Sequence, residues 1–297
     1  MEVNSSRIGV FDSGMGGLDI AAAISRHLSQ EDIVYFGDNA RVPYGTKSAS
    51  VVKSYTYEAA DRLAQQGIKA LVIACNTASA VVDFAHLESV LGVPVFGMIE
   101  AGISACNALL QDRAEYLTHV AILATPGTIR SEAYQSALAS AYPKLKIAAI
   151  PCPLFVPLVE MGWEEHELSR VLVKAQLQEH YEKFKALVDR HGNEEALYLL
   201  GCTHYPMMQE AILGGISLLD RGVFHCLDGA ESVALLLKAR LEREGLLRPA
   251  PPQQIGKRIA YFSDDPHRPS AAELASRFWK RRGGVGEMII KHAESRE

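Results

Sequence analysis

The chain has 297 residues, 48% of them hydrophobic and 22% charged, with a net charge of −5 at pH 7. This length points to two domains of ordinary size, and the composition excludes a disordered chain. The acidic balance argues against nucleic acid as a partner, and the lone basic cluster, Lys280, Arg281 and Arg282, reads as a solvated face.

No apolar run reaches the ~18 residues that cross a bilayer. The opening stretch MEVNSSRIGV lacks the basic region and long apolar core of a signal peptide. Five cysteines form neither a CxxC pair nor a dense disulfide framework, which fits reduced thiols in a cytoplasmic protein with no membrane partner.

In chain order, short apolar runs predict strands at Ile8–Phe11, Ile33–Phe36, Ala70–Ala74 and Val93–Phe96. Further runs follow at Val120–Leu123, Ile147–Ile150, Leu197–Leu200, Val223–Cys226 and Ile259–Phe262. Segments of helical period lie between them, among them Ala49–Gln65 and Glu167–Asp189. In the second of these, Leu168, Leu172, Ala175, Leu177, Tyr181, Phe184 and Leu187 form the expected apolar face. The prolines of RPAPPQQ (Arg248–Gln254) mark a linker.

This alternation predicts an α/β protein with parallel sheets. A long-range duplication is visible as well. The strand at Ile8–Phe11 runs into DSGMGG and that at Val120–Leu123 into ATPGT, each ahead of a strand that ends in cysteine. Two similar lobes are expected, the first over residues 1–100 plus 216–297 and the second over 101–215. The strand at Val223–Cys226 then belongs to the first lobe. Ligands of open parallel sheets sit beyond the carboxyl ends of the strands, so the active site is expected in the cleft between the lobes.

Cys75 follows a buried-looking run and opens a helix; Asn76 and Thr77 come next. Unpaired N–H groups at a helix start favour a thiolate. Cys202 has the same setting, between Gly201 and the pair Thr203 and His204. Both cysteines can instead be plain core residues, which is the reading for Cys106, Cys152 and Cys226. A zinc site from Cys75, Cys202 and His204 is a poorer fit, because the close ligand pairs of structural zinc are missing apart from Cys202 with His204.

The glycines of FDSGMGGLD have neither dinucleotide nor P-loop spacing. They read either as a nest of N–H groups for a small carboxylate, with Asp12 and Ser13 aimed into the cleft, or as a plain strand–helix turn. The loop Gly37–Ser48, with Tyr44 and Gly45, is a candidate for ligand contacts. Glu160 lies among apolar residues and is either an acid–base group or an ordinary helix residue.

Taken together, VFDSGMGGL, YFGDNARVPYGTKS, ACNTASA, RSEAYQSAL, PCPLFVPLVE and LGCTHYP resemble the bacterial glutamate racemases, within the wider group of cofactor-independent amino-acid racemases. The resemblance implies no cofactor, no metal, glutamate as substrate, D-glutamate for peptidoglycan as product, and a homodimer. Inverting an α-carbon calls for a proton donor and a proton acceptor on opposite faces. The resemblance assigns Cys75 to D-glutamate and Cys202 to L-glutamate, with Asp12, His204 and Glu160 assisting. By the same carry-over, Asp12, Ser13, Tyr44, Gly45, Asn76, Thr77, Thr128, Thr203 and His204 hold the substrate. Asn39, Ala101, Gly229 and the FSDDP segment depart from the usual family forms and remove no catalytic group. The alternatives are a racemase of aspartate or another acidic amino acid, and a non-catalytic binding protein on the same scaffold.

Overall fold

A computed structural model of the chain describes residues 6–180, 182–183, 185, 189–251, 253–264 and 269–293. The first strands, β1 (Arg7–Asp12), β2 (Ile33–Gly37), β3 (Ile68–Ile73) and β4 (Val95–Gly97), alternate with helices α1 (Gly17–His27), α2 (Ala49–Ala64), α3 (Asn76–Ser79) and α4 (Phe84–Leu91). Helix α5 (Met98–Asp112) leads to β5 (Leu117–Ala124), α6 (Pro126–Arg130), α7 (Ala133–Ala141) and β6 (Lys146–Pro151). Next come α8 (Phe155–Glu160), α9 (Glu167–Glu179), β7 (Glu195–Gly201), α10 (Gln209–Leu219) and β8 (Phe224–Leu227). The last elements are α11 (Ala230–Arg243), β9 (Arg258–Phe262), α12 (Pro269–Arg281) and β10 (Met288–His292). No helix among the described residues is long and apolar enough to cross a membrane.

All strand pairs are parallel, in two sheets ordered β10-β9-β2-β1-β3-β4 and β6-β5-β7-β8. Strands β1, β2, β3 and β7 are buried almost throughout, as parallel strands covered on both faces must be. The two sheets share a plan, β2-β1-β3-β4 against β6-β5-β7-β8, so the expected two-lobed α/β architecture is present. Each first strand has its successors on opposite sides, which opens a crevice at its carboxyl end.

Several expectations are corrected. The strand near Val223–Cys226 pairs with β7 in the second sheet and does not return to the first lobe. Its connection to β7 runs through α10, which packs on α9, and a parallel strand one helix later pairs most directly with its predecessor. The chain crosses back only at α11, which packs on both α1 and α5. Strand β10 was not anticipated; it pairs with β9 at the sheet edge, and four of its five residues are half-buried. In α9 the buried stripe is Ser169, Val173, Gln176 and Leu177, while Leu168 and Leu172 are exposed. Leu177 is buried as expected, packed so closely on α10 that a Cβ at Gly215 would stand 2.9 Å from its Cδ1. Tyr181, Phe184 and Leu187 lie outside the described residues.

Nor are Arg281 and Arg282 a solvated face. They grip buried Asp19 of α1 at 2.9 and 2.6 Å, and Arg282 also holds Asp228, just after β8, at 2.6 Å. The end of α12 therefore fastens the start of α1 to the point where the chain leaves the second sheet. Burial raises the Asp19 pKa even against the neighbouring arginines. Arg282→Met should strip Asp19 and Asp228 of a shared cation and destabilise the fold by about 3 kcal/mol. Urea unfolding reads this directly; a loss under ~1 kcal/mol would mean the network carries little.

Candidate active site

The site gathers at the carboxyl ends of four strands. In the first sheet β1 delivers Asp12 and Ser13, and β3 delivers Cys75, Asn76 and Thr77. In the second sheet β5 delivers Thr125 and Thr128, and β7 delivers Cys202, Thr203 and His204. The crevices at β1/β3 and β5/β7 are the equivalent switch points of the two sheets. Both sulfurs are buried, Cys75 to 5% exposure and Cys202 to 7%.

Each cysteine has its own polar partners. The Cys75 thiol donates to Ser13 Oγ at 3.4 Å. Cys202 Sγ lies 3.9 Å from His204 Nδ1, and His204 Nε2 lies 2.6 Å from Glu160 Oε1. The edge-on ring of Phe278 closes the other side of the imidazole, with centroids 5.6 Å apart. Glu160 ends α8, so the carboxylate expected from its apolar setting does join the site, as the partner of His204.

Side chains of the two lobes meet directly. Thr203 donates to Asp12 Oδ1 at 3.4 Å. Thr77 Oγ1 is 2.8 Å from Thr125 Oγ1 and 3.2 Å from Thr128 Oγ1, a cluster of hydroxyls between lobes. The glycine-rich loop makes this approach feasible, since a Cβ on Gly16 would stand 2.5 Å from Thr203 Oγ1. Two of its N–H groups are already taken within the loop. Those of Gly14 and Gly17 are given to the Asp12 carboxylate itself, the first at 3.0 Å. Tyr35 fixes the same loop by donating to the Gly14 carbonyl at 2.6 Å.

Gly45 comes close to the second lobe, where a Cβ would meet Thr125 Cβ at 2.4 Å. Tyr44 beside it is buried, and its hydroxyl is taken by the Asp38 carboxylate, which Arg41 also holds at 2.6 Å. Its phenol is therefore committed to the loop. Asn76 is gripped by Tyr134 of α7, whose hydroxyl donates to Oδ1 at 2.7 Å. Thr125, Tyr134, Tyr35 and Asp38 were missed in the sequence. Thr125 has a local signal, as the cap of α6 that accepts the Thr128 N–H. Asp38 is also local, holding Arg41 and Tyr44 of its own loop; Tyr35 and Tyr134 act across long separations that no local pattern reports.

The charge states differ from the expectation of a helix-activated thiolate. Burial pushes the Cys75 thiol up to about 12, and the Asp12 charge adds to the rise. Helix α3 is a single turn, too short to oppose that desolvation. Asp12 is itself raised by burial, against the pull of His204 and the Gly14 and Gly17 N–H groups. Burial alone would lower His204, but its hydrogen bonds to Cys202 and Glu160, and their charges, hold the imidazolium well above its usual range. A positive ring beside a sulfur is the arrangement that supports a thiolate. Cys106 and Cys152 are buried core residues, as expected, while Cys226 on β8 is only half-buried.

Residues 16–227 match the family described as Asp/Glu/hydantoin racemase. The chain is 40% identical over 262 residues to the glutamate racemase of Geobacter metallireducens, covering 87% of this chain and 88% of that one. It is 37% identical over 287 residues to that of Thermus thermophilus, covering 96% of each. Among solved structures it is similar to glutamate racemase from Francisella tularensis in complex with D-glutamate, with a TM-score of 0.79 and 30% identity over 99% of this chain and 100% of that one. The Thermus thermophilus enzyme in complex with β-chloro-D-alanine gives a TM-score of 0.71 at 33% identity, over 97% of both chains. With cysteine-bearing strand ends facing each other across two matched lobes, and with this degree of likeness over nearly its whole length, the chain belongs to the Asp/Glu/hydantoin racemase family of isomerases.

Proposed function

We propose that the protein is a glutamate racemase that interconverts the enantiomers through Cys75 and Cys202. The observation that carries this reading is the placement of one buried cysteine at the end of the third strand of each sheet, each with separate acid–base neighbours. In one direction Cys202, as thiolate, takes the α-proton of L-glutamate while the Cys75 thiol delivers a proton to the opposite face. The product is D-glutamate, with the sulfurs exchanged in protonation state; the reverse reaction starts from Cys75. Asp12 and His204, with Glu160 behind it, return the protons.

Asn76, Thr77, Thr203 and the Thr128 hydroxyl hold the carboxylates, and Asp12 and Ser13 lie where an ammonium group needs acceptors. The backbone at Tyr44 and Gly45 completes the binding wall. Fixed dipoles in a cleft that excludes water stabilise the carbanion, so the reaction needs no cofactor. The reading extends to a cytoplasmic homodimer that supplies D-glutamate for peptidoglycan.

The test is incubation of each enantiomer in D₂O, following optical rotation and α-proton exchange. Wild type should racemise both with deuterium entering Cα. Cys75→Ser and Cys202→Ser should each lose at least about 10³-fold in turnover, and His204→Asn about 10- to 100-fold. Turnover of aspartate alone would move the substrate by one methylene; silence with every acidic amino acid would sink the enzyme reading.

Holding Cys75 neutral also has a consequence for stability. A thiol of ordinary pKa 9.0 in the unfolded chain and about 12 in the fold leaves the native state with more bound protons between those values. Stability must therefore fall as pH rises through that window, by up to about 1.4 kcal/mol per pH unit for each buried thiol. The urea midpoint should drop from pH 9 to pH 11, and drop less in Cys75→Ser; equal slopes would show that Cys75 does not titrate as its burial demands.

A further inference from the structure

Tyr134 is only 1% exposed and sits on α7 of the second lobe. Its hydroxyl nevertheless stands 2.7 Å from Oδ1 of Asn76, next to Cys75 in the first lobe, and 2.9 Å from the Met98 carbonyl at the start of α5. We infer that Tyr134 is a positioning residue: its phenol, carried by one lobe, holds the Asn76 amide of the other lobe in the orientation that presents the amide nitrogen to the substrate. The inference rests on the proposed role of Asn76 as a substrate contact.

The two ends of a side-chain amide have nearly the same shape, so only neighbours decide which faces where. Here the carbonyl end faces a phenol donor, and among the described residues no acceptor pairs with Nδ2. The amide nitrogen is thus the end left over for a carboxylate. Met98 opens α5, whose ladder already uses its carbonyl, so the shorter bond to Asn76 is the better use of the single phenol proton. Burial drives the Tyr134 pKa far upward, which keeps that proton in place across the working pH range.

The position is also tightly enclosed. A Cβ on Gly102 would come within 2.7 Å of the Tyr134 hydroxyl, so a glycine on α5 is what admits the phenol to Asn76 at all. The ring itself packs in the apolar cluster with Val120, Leu138 and Leu199. Tyr134→Phe keeps that packing and removes only the hydroxyl.

The experiment is a double-mutant cycle of Tyr134→Phe with Asn76→Ala, read by KM and kcat for both enantiomers. Tyr134→Phe should raise KM about 5- to 10-fold, the value of one lost hydrogen bond, with kcat within about 2-fold. In the Asn76→Ala background it should add nothing, because the amide it serves is gone. An equal loss in both backgrounds, or an unmoved KM, would overturn the inference and leave Tyr134 a packing residue. An ¹⁵N spectrum gives a readout free of turnover, with the Asn76 side-chain pair identified by its disappearance in Asn76→Ala. That pair should be single and sharp in the wild type and doubled or broadened in Tyr134→Phe; an unchanged pair also overturns the positioning. If wild type racemises neither enantiomer, the function reading fails while the spectrum still decides the role of Tyr134.

Discussion

The close approach of two backbones at the ends of two sheets is the constraint on which the site depends. At Gly16, Gly45 and Gly127 a single added carbon would strike the opposite lobe or its partner loop, at 2.5 Å from Thr203 Oγ1, 2.4 Å from Thr125 Cβ and 2.9 Å from the Gly45 carbonyl. Because nothing larger than hydrogen stands there, Asp12 reaches Thr203 and Thr77 reaches Thr125. The glycines of DSGMGG, which lack the spacing of a phosphate loop, serve close backbone approach, and the object approached is the other half of the same chain. What holds the halves at that distance lies elsewhere, in α11 packed between α1 and α5 and in Arg282, which joins Asp19 of the first lobe to Asp228 at the end of the second sheet.

Much of this was legible in the sequence, and the failures have a common cause. Nine apolar runs lie within a few residues of nine of the ten strands among the described residues, because a two-sided buried strand needs a continuous apolar run whatever its neighbours are. The same lack of neighbour information is why β8 was assigned to the wrong sheet: nothing in VFHC says which strand it will pair with. Asp12, Cys75, Cys202 and His204 were readable because strand ends advertise themselves as a change from apolar to small and polar. Tyr134 and Arg282 were not, since each acts on a residue more than fifty positions away. In α9 Val173 and Leu177 pack against Gly215 of another helix, so a count of apolar residues along α9 finds Leu177 but misplaces the rest of the buried stripe.

The duplication of plan does not extend to the chemistry. Cys75 has a hydroxyl and a carboxyl for neighbours, Ser13 and Asp12, and burial keeps it a thiol. Cys202 has an imidazole backed by a carboxylate. The difference arises from what each lobe places behind the strand end. In the first lobe the glycine loop folds the Gly14 and Gly17 N–H groups onto Asp12; in the second, α8 brings Glu160 to His204. Two homologous-looking crevices thus give one sulfur a hydroxyl and a carboxyl as neighbours and the other an imidazole–carboxylate pair.

For the proposed reaction that asymmetry is permitted and bounded. The two enantiomers of glutamate have the same free energy in water, so the equilibrium constant is unity and kcat/KM is equal in both directions. No arrangement of Asp12, His204 or Glu160 can favour one product at equilibrium. The asymmetry can only divide the common barrier differently between binding and turnover for the two substrates. It also makes the two resting forms unequal: a protein that has just released D-glutamate carries its protons on the wrong sulfurs for another L-glutamate. The groups beside the cysteines must restore them before the next turn, and they differ on the two sides. Asp12, whose pKa burial raises, and His204, held as imidazolium by its bonds to Cys202 and Glu160, are suited to that return because each is an acid–base group beside one sulfur.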